Sequence, residues 1–183
     1  MEKIKKLKKL LKKSKIDGYL VPKNDEFFGE YVQEDKDNLK FISNFSGSFG
    51  YALVTKKKNF LFVDGRYTTQ AQIQSGKNFL IKTIPRSFPH KIKELSKYKI
   101  GFDPKLHTQT SLNHFFKKKI TLLPIKENLI DKIKPTQKKI SPKKYFILSK
   151  KNVGQNVKSK ISLVKKYLRL KKIDLMFVSA PEN

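Results

Sequence analysis

Cysteine is absent from the 183 residues, which excludes a disulfide framework and any thiolate-bound metal. No apolar run approaches the roughly 20 residues needed to span a bilayer. The opening segment, MEKIKKLKKLLKKSK, lacks the uninterrupted apolar stretch of a secretory signal. The expectation is a cytoplasmic protein with no membrane partner. Acidic residues are few, 15 against 42 Lys and Arg, and the net charge is +27. Such a chain invites a polyanionic partner, because neutralising phosphates releases counterions. Arginine, however, is nearly missing: Arg66, Arg86 and Arg169 are the only ones. Specific readers of bases and phosphates favour the arginine fork, and the lysines are spread over almost every segment. The balance is against nucleic acid. A lysine-rich α/β nucleic-acid or ribosome-associated binding module stays as the alternative reading.

Catalytic signatures are equally scarce. No G-x-S-x-G elbow occurs, and no G-K-[ST] follows the glycines at 47–50. Of the three histidines, His107 and His114 are placed by the spacing two turns apart on one helix. Zinc helices use i and i+4 with a third ligand at hand, so all three read as surface or boundary histidines. Six acids fall within residues 25–37, including Asp25, Glu30 and Asp37. With no glycine-containing calcium loop, they read as a solvated loop and short helix around Phe27, Phe28 and Tyr31, not a metal site.

What is present starts with 38% apolar residues and 14 phenylalanines, enough for a core. Residues 2–14 carry Ile4, Leu7, Leu10 and Leu11 at helical spacing, predicting a surface helix docked by a narrow apolar face. The Asp17-Gly18 turn and a short strand at Tyr19-Leu20-Val21 follow. The informative stretch is 41–70, FISNFSGSFGYALVTKKKNFLFVDGRYTTQ. A small-residue turn leads into alternating Phe49, Tyr51, Leu53 and Thr55, the period of a strand with one buried face. Phe60-Leu61-Phe62-Val63 is a continuous apolar run, as a central buried strand needs. Asp64 closes it and caps a helix expected over 66–75, ended by Gly76. Beyond lie expected strands at 78–84, 98–102 and 120–125, and helices at 88–97, with Ile92 and Leu95 inward, and 106–118, with Leu112 and Phe115 or Phe116. Strands alternating with helices argue for a mixed sheet with helices on its faces.

Ser43-Asn44-Phe45-Ser46-Gly47-Ser48-Phe49-Gly50, then Val63-Asp64-Gly65-Arg66-Tyr67 with Gln70, resembles the amino-terminal region of Xaa-Pro aminopeptidases (aminopeptidase P). These belong to the creatinase/aminopeptidase P family of pita-bread metallopeptidases. Asp25-Glu26-Phe27-Phe28-Gly29-Glu30-Tyr31 is similar to the family's D-x-x-x-G-E-Y segment. Asn44 and Phe49 stand where the family favours Gly and Ala. The resemblance implies a creatinase-type amino-terminal domain, α/β, with a mixed, mostly parallel sheet flanked by helices. It implies a parent enzyme that removes an amino-terminal residue preceding proline and works as a homodimer. Its two divalent metal ions would sit in a carboxy-terminal catalytic domain whose ligands this chain does not contain, leaving the chain itself with no cofactor, catalytic residue or metal ligand. The role implied for the chain is to shape the substrate cleft and support dimerisation. Arg66, Asp64 and Tyr67, at the end of the buried strand, are the substrate-cleft candidates, since α/β clefts form at the carboxyl edge of the sheet. A local salt bridge that merely holds the turn is the competing role for Arg66.

Residues 132–144, KIKPTQKKISPKK, read as a linker, giving a first domain over 1–134, a linker over 135–144 and a second, truncated creatinase-like domain over 145–183. The second opens as the first does. Lys3-Ile4 recurs as Lys160-Ile161, Leu11 as Leu168, Ile16-Asp17 as Ile173-Asp174 and Val21 as Val178, all at one offset. Helix, Ile-Asp turn and strand are expected again. A unit of fewer than about 40 residues, however, struggles to bury enough surface alone.

Overall fold

In the computed structural model, residues 2–29, 31–117, 120–135, 145–149 and 151–178 are described. Contacts divide the chain into two compact units, Met1–Thr136 and Gln137–Asn183.

The first unit is built from α1 (Glu2–Lys13), β1 (Gly18–Pro22), α2 (Asn38–Ser43), β2 (Tyr51–Thr55), β3 (Asn59–Asp64), α3 (Thr68–Ser75), β4 (Leu80–Ile84), β5 (Lys99–Phe102), α4 (Gln109–Phe116) and β6 (Thr121–Pro124), with short 3-10 turns between. Its described strands form one mixed sheet of order β4-β3-β2-β1-β5-β6. Only β2 runs against its neighbours; the β3–β4, β1–β5 and β5–β6 pairs are parallel. This is the expected mostly parallel sheet.

Period two sorts each strand between two apolar layers. Tyr19, Val21, Ala52, Val54, Leu61 and Val63 face a layer closed by Leu7 and Leu11 of α1, Leu39 and Ile42 of α2, and Ala71 of α3. Leu20, Leu53, Phe60, Phe62, Ile100 and Phe102 face the other layer, closed by Phe88, Leu95 and the α4 residues Leu112, Phe115 and Phe116. With both faces covered, Ala52 to Thr55 are all buried, so β2 does not have the single buried face that its alternation suggests. Alternation there reports which layer a residue enters, not whether it meets water.

Three local expectations change. Residues 88–97 form two 3-10 turns, Pro89–Lys91 and Lys93–Leu95, because Ile92 between them is extended (φ −92°, ψ 103°). Leu95 is buried and Ile92 partly so. α4 starts at Gln109, not 106, since Thr108 is its cap and accepts from the Ser111 N–H at 3.1 Å. His107 therefore lies outside the helix that carries His114, and the pair share no helix face. The short helix expected around Phe27, Phe28 and Tyr31 is a loop with those rings exposed, and the helix begins at Asn38. Lys118, at the end of the expected 106–118 helix, Glu30 and the 136–144 part of the linker lie outside the described residues.

Among its described residues the second unit holds one helix, α5 (Val157–Lys171), capped by Asn156, whose side chain accepts from the Ser159 N–H. The sequence repeat is also a repeat of geometry. Lys15 and Lys172 are both left-handed, at φ 52° and 53°. The Ile16 N–H donates to the Leu11 carbonyl at 3.1 Å, and the Ile173 N–H to the Leu168 carbonyl at 3.0 Å. Both are the six-to-one closure of a Schellman motif. The strand expected next does not form among the described residues; Leu175 to Val178 are exposed. In the first unit the matching segment, β1, is hydrogen-bonded on both sides, and among the described residues 175–178 pairs with no strand.

Candidate functional site at the carboxyl edge of the sheet

Because β1, β3, β4, β5 and β6 are parallel, their carboxyl ends share one edge, joined there by the start of the antiparallel β2. Asp64 is the last residue of β3. Its carboxylate accepts from the Arg66 backbone N–H at 2.9 Å, which closes the 3-10 turn Gly65–Tyr67 ahead of α3. The same carboxylate receives the guanidinium, Nη2 to Oδ2 at 2.7 Å and Nε to Oδ2 at 3.2 Å. Each partner stabilises the other's charge, so the Asp64 carboxyl is held below its ordinary range, chiefly by the hydrogen bond from Arg66. The guanidinium also lies over the Tyr67 ring, 5.4 Å from its centroid. Even so, the Arg66 side chain is 76% exposed. Asp64 occupies the Nε–Nη2 side of the guanidinium fork, while the side chain as a whole stays exposed to solvent.

Tyr67 turns the other way. Its hydroxyl meets Ser48 Oγ at 2.7 Å, and its ring packs edge-on against buried Phe45. Gln70 and Gln74 complete the anchorage, each donating to Ser46 Oγ at 3.0 Å, while the Ser46 N–H donates to Gln74 Oε1. Tyr67 and Gln70 thus bolt the 46–50 turn to α3. Gly47 is required there, since a Cβ would lie 2.3 Å from Phe45 Cζ. Of the three cleft candidates, Arg66 is exposed and paired with Asp64, and Tyr67 holds the 46–50 turn.

The clustered acids are engaged locally. Asp25 is buried and accepts from the Phe27 N–H at 3.0 Å. Asp37, also buried, pairs with Lys23 and accepts from the Lys40 N–H at the start of α2. Among the described residues no group of three or more His, Asp or Glu is placed to hold a metal ion. His90 shares a hydrogen bond with the Phe115 carbonyl, and His114 packs edge-on against Phe88. His107 packs on Phe102, and burial lowers its pKa from 6.5 to about 4. It is partly buried, within the expected reading of a surface or boundary histidine. The described residues do not fit a dinuclear metal site.

Four large rings in the loops after β1 and before β2 are exposed: Phe27 74%, Phe28 49%, Tyr31 91% and Phe49 37%. The first three lie in the acidic segment expected to be solvated.

The fold defines an α/β unit with one mixed sheet flanked by helices. Residues 3–133 match the model of the creatinase/prolidase N-terminal domain, and the chain belongs to that family. Curated relatives extend the match. A probable Xaa-Pro aminopeptidase P of Coprinopsis cinerea is 33% identical over 178 residues, covering 91% of this chain and 28% of its own length. That of Paracoccidioides lutzii is 35% identical, covering 91% and 29%. The chain therefore spans less than a third of the curated relatives it matches. Among solved structures, X-prolyl aminopeptidase from Caenorhabditis elegans, described as a cytosolic enzyme with a di-nuclear active site, superposes with a TM-score of 0.73. Its identity is 27%, and the match covers 94% of this chain and 32% of that one. The N-terminal domain of the cytoplasmic peptidase PepQ from Mycobacterium tuberculosis shares the fold, with a TM-score of 0.57, 24% identity, and 73% and 98% coverage.

Proposed function

We propose that this chain is the amino-terminal, non-catalytic portion of a metal-dependent Xaa-Pro aminopeptidase, where it walls the substrate cleft and supports a homodimer. One observation carries the reading: the match to Xaa-Pro aminopeptidases P runs over nine-tenths of this chain but little more than a quarter of theirs. The substrates would be peptides with proline at the second position, cut by two divalent ions held outside this chain. Arg66, oriented by Asp64, would take an oxygen of the bound peptide from the cleft wall. A cytoplasmic location follows the Caenorhabditis elegans relative, described as cytosolic.

The test is a chimera in which residues 1–183 replace the matching segment of the Caenorhabditis elegans enzyme. It should cleave Xaa-Pro peptides and sediment as a dimer, and Arg66→Ala should raise KM with little change in melting temperature. A folded, metal-loaded chimera no more active than the remainder alone would defeat the reading. A melting temperature that falls while KM holds would assign Arg66 to the turn alone.

A further inference from the structure

We propose that the groove between α1 and residues 132–134 docks an acidic peptide segment of a partner protein, one that carries a large apolar side chain among its carboxylates. This goes beyond the proposed function and is independent of the cleft wall.

The groove is built within the first unit. Lys3, Lys6 and Lys9 recur every three residues along α1 and so form one row. Lys132 and Lys134 stand on the facing wall, in a turn closed by the Ile133 and Lys134 N–H groups donating to the Ile130 carbonyl, each at 3.0 Å. Between the walls is a volume of about 1100 Å³. That lies at the upper end of the roughly 300–1,000 Å³ typical of small-molecule sites, enough for several side chains. Its floor is apolar: Leu10, Phe41 and Ile133 are partly buried and pack on the core layer that holds Leu7, Leu11 and Ile42.

The charge on the walls is poorly neutralised. The Lys3 ammonium donates to the Phe41 carbonyl at 3.1 Å and lies 4.5 Å from the Phe41 ring centroid. The Lys134 ammonium donates to the Asp35 carbonyl and lies 5.7 Å from the same centroid. Two cations are thus gathered at one ring by neutral groups, and among the described residues neither forms an ion pair. Asp131 and Asp35 act on Lys134 only at longer range. Lys6 pairs with Glu2 and Lys132 with Glu127, but both pairs are exposed and of the kind that contributes little and exchanges readily. Incoming carboxylates would gain charge-assisted hydrogen bonds. On an extended peptide, carboxylates on alternate residues stand about 7 Å apart on one side. Lys3 and Lys9 are about 9 Å apart along the α1 axis, a difference that flexible lysine stems cover.

The same features disfavour other polyanions. The groove holds no arginine fork, and ammonium groups already engage the Phe41 ring, which leaves no free face for a base to stack on. A membrane would need a projecting apolar face, whereas Ile4, Leu7 and Leu11 of α1 are turned into the core.

Fluorescence anisotropy with the 183-residue chain at physiological salt tests this, using labelled, end-blocked Glu-Asp-Phe-Asp-Glu as probe and Glu-Asp-Gly-Asp-Glu as control. The phenylalanine peptide should bind at least about five-fold more tightly, and reversing two exposed wall charges in Lys9→Glu, Lys132→Glu should weaken it about ten-fold with an unchanged melting temperature. The double variant Lys158→Glu, Lys165→Glu changes the net charge equally on α5 and should leave binding within about two-fold. Equal loss in the two double variants would mean that binding follows net charge, and would overturn the groove. Equal binding of the two peptides would overturn the apolar floor and with it the proposal. Displacement of the probe by oligothymidylate or by phosphatidylserine vesicles, at lower concentration than by unlabelled peptide, would make the occupant a nucleic acid or a lipid surface. Self-association of the chain without peptide, lost in Lys9→Glu, Lys132→Glu, would make it a second copy.

Discussion

Arg66 and His107 show opposite ways in which a polar side chain meets this fold. Among the described residues Arg66 pairs with Asp64, two residues away, and is largely solvated. Exposed pairs of that kind contribute little to stability. Arg66→Ala should therefore move the thermal midpoint of the isolated chain by no more than about two degrees, whereas Phe45→Ala, which empties a fully buried site, should cost about 3–5 kcal/mol. Thermal melts of the two variants make the comparison, and a large loss for Arg66→Ala would assign it to the turn. His107 is enclosed, its Nε2 without a hydrogen-bond partner among the described residues, and burial lowers its pKa to about 4. The unfolded chain takes up a proton near 6.5 and the folded chain only near 4. The associated stability is whole above about pH 6.5, falls as pH drops through that window, and changes no further below it. The loss is up to roughly 3 kcal/mol. Asp17, whose carboxyl is also held below its ordinary range by Lys56, adds its own acid sensitivity. The wild-type chain compared with His107→Leu isolates the histidine: the variant's stability should decline less between pH 7 and 4. Parallel curves would show that His107 is protonated normally in the fold.

Among the elements, α1 and α5 offer a matched pair for the cost of a cap. Lys15 and Lys172 occupy the left-handed closing position that glycine fills without steric penalty. Lys15→Gly should raise the stability of the first unit by up to about 1 kcal/mol, seen as a higher urea midpoint with an unchanged slope. Lys172→Gly should leave that midpoint alone, since none of the described α5 residues is buried. A shift from the second change equal to the first would mean that the two helices melt as one. Most elements were legible because their apolar spacing serves one purpose. Ile4, Leu7 and Leu11 mark a helix face, and Phe60 to Val63 mark a strand covered on both sides. The errors share a cause. The 88–97 segment is decided by the backbone angle at Ile92 and the start of α4 by the cap at Thr108, neither of which apolar spacing encodes. In the site, Asp64, Arg66 and Tyr67 could be picked out from their motif, but their division of labour could not. Only the fold brings Ser48 to Tyr67 and Ser46 to Gln70. The exposed rings at 27, 28 and 49 were hidden for the same reason, being apolar residues whose burial depends on what the loop does.

At the scale of the molecule, the two units differ in how much they bury. The first closes two apolar layers around a six-stranded sheet, while the second leaves Ile161, Val164 and Leu168 of α5 without a buried position among them. These match Ile4, Leu7 and Leu11, all buried in the first unit. Limited proteolysis with mass read-out should leave a resistant core ending near residue 134 and cut the lysine-rich remainder early. Equal resistance through residue 178 would mean that the second unit is covered in solution.

Catalysis, by contrast, is expected to be missing from the chain as a whole. Two-metal hydrolysis needs carboxylates and imidazole converging on ions about 3.5–4 Å apart. Here Asp25 and Asp37 are buried and hydrogen-bonded within their own loop, and Asp64 is taken by Arg66. Asp103 accepts from the Lys105 N–H and from Asn128. The histidines meet Phe115, Phe102 and Phe88 instead of acids. These four acids are each held by a contact they would first have to break, and among the described residues no group of three or more potential ligands converges. The purified chain, given manganese, cobalt or zinc, should therefore show no turnover of an Xaa-Pro dipeptide or tripeptide and retain no stoichiometric metal after dialysis. The decisive contrary result is turnover that a chelator abolishes, with close to two ions retained per chain. It would require these side chains to leave their present partners and assemble a site that this fold does not contain.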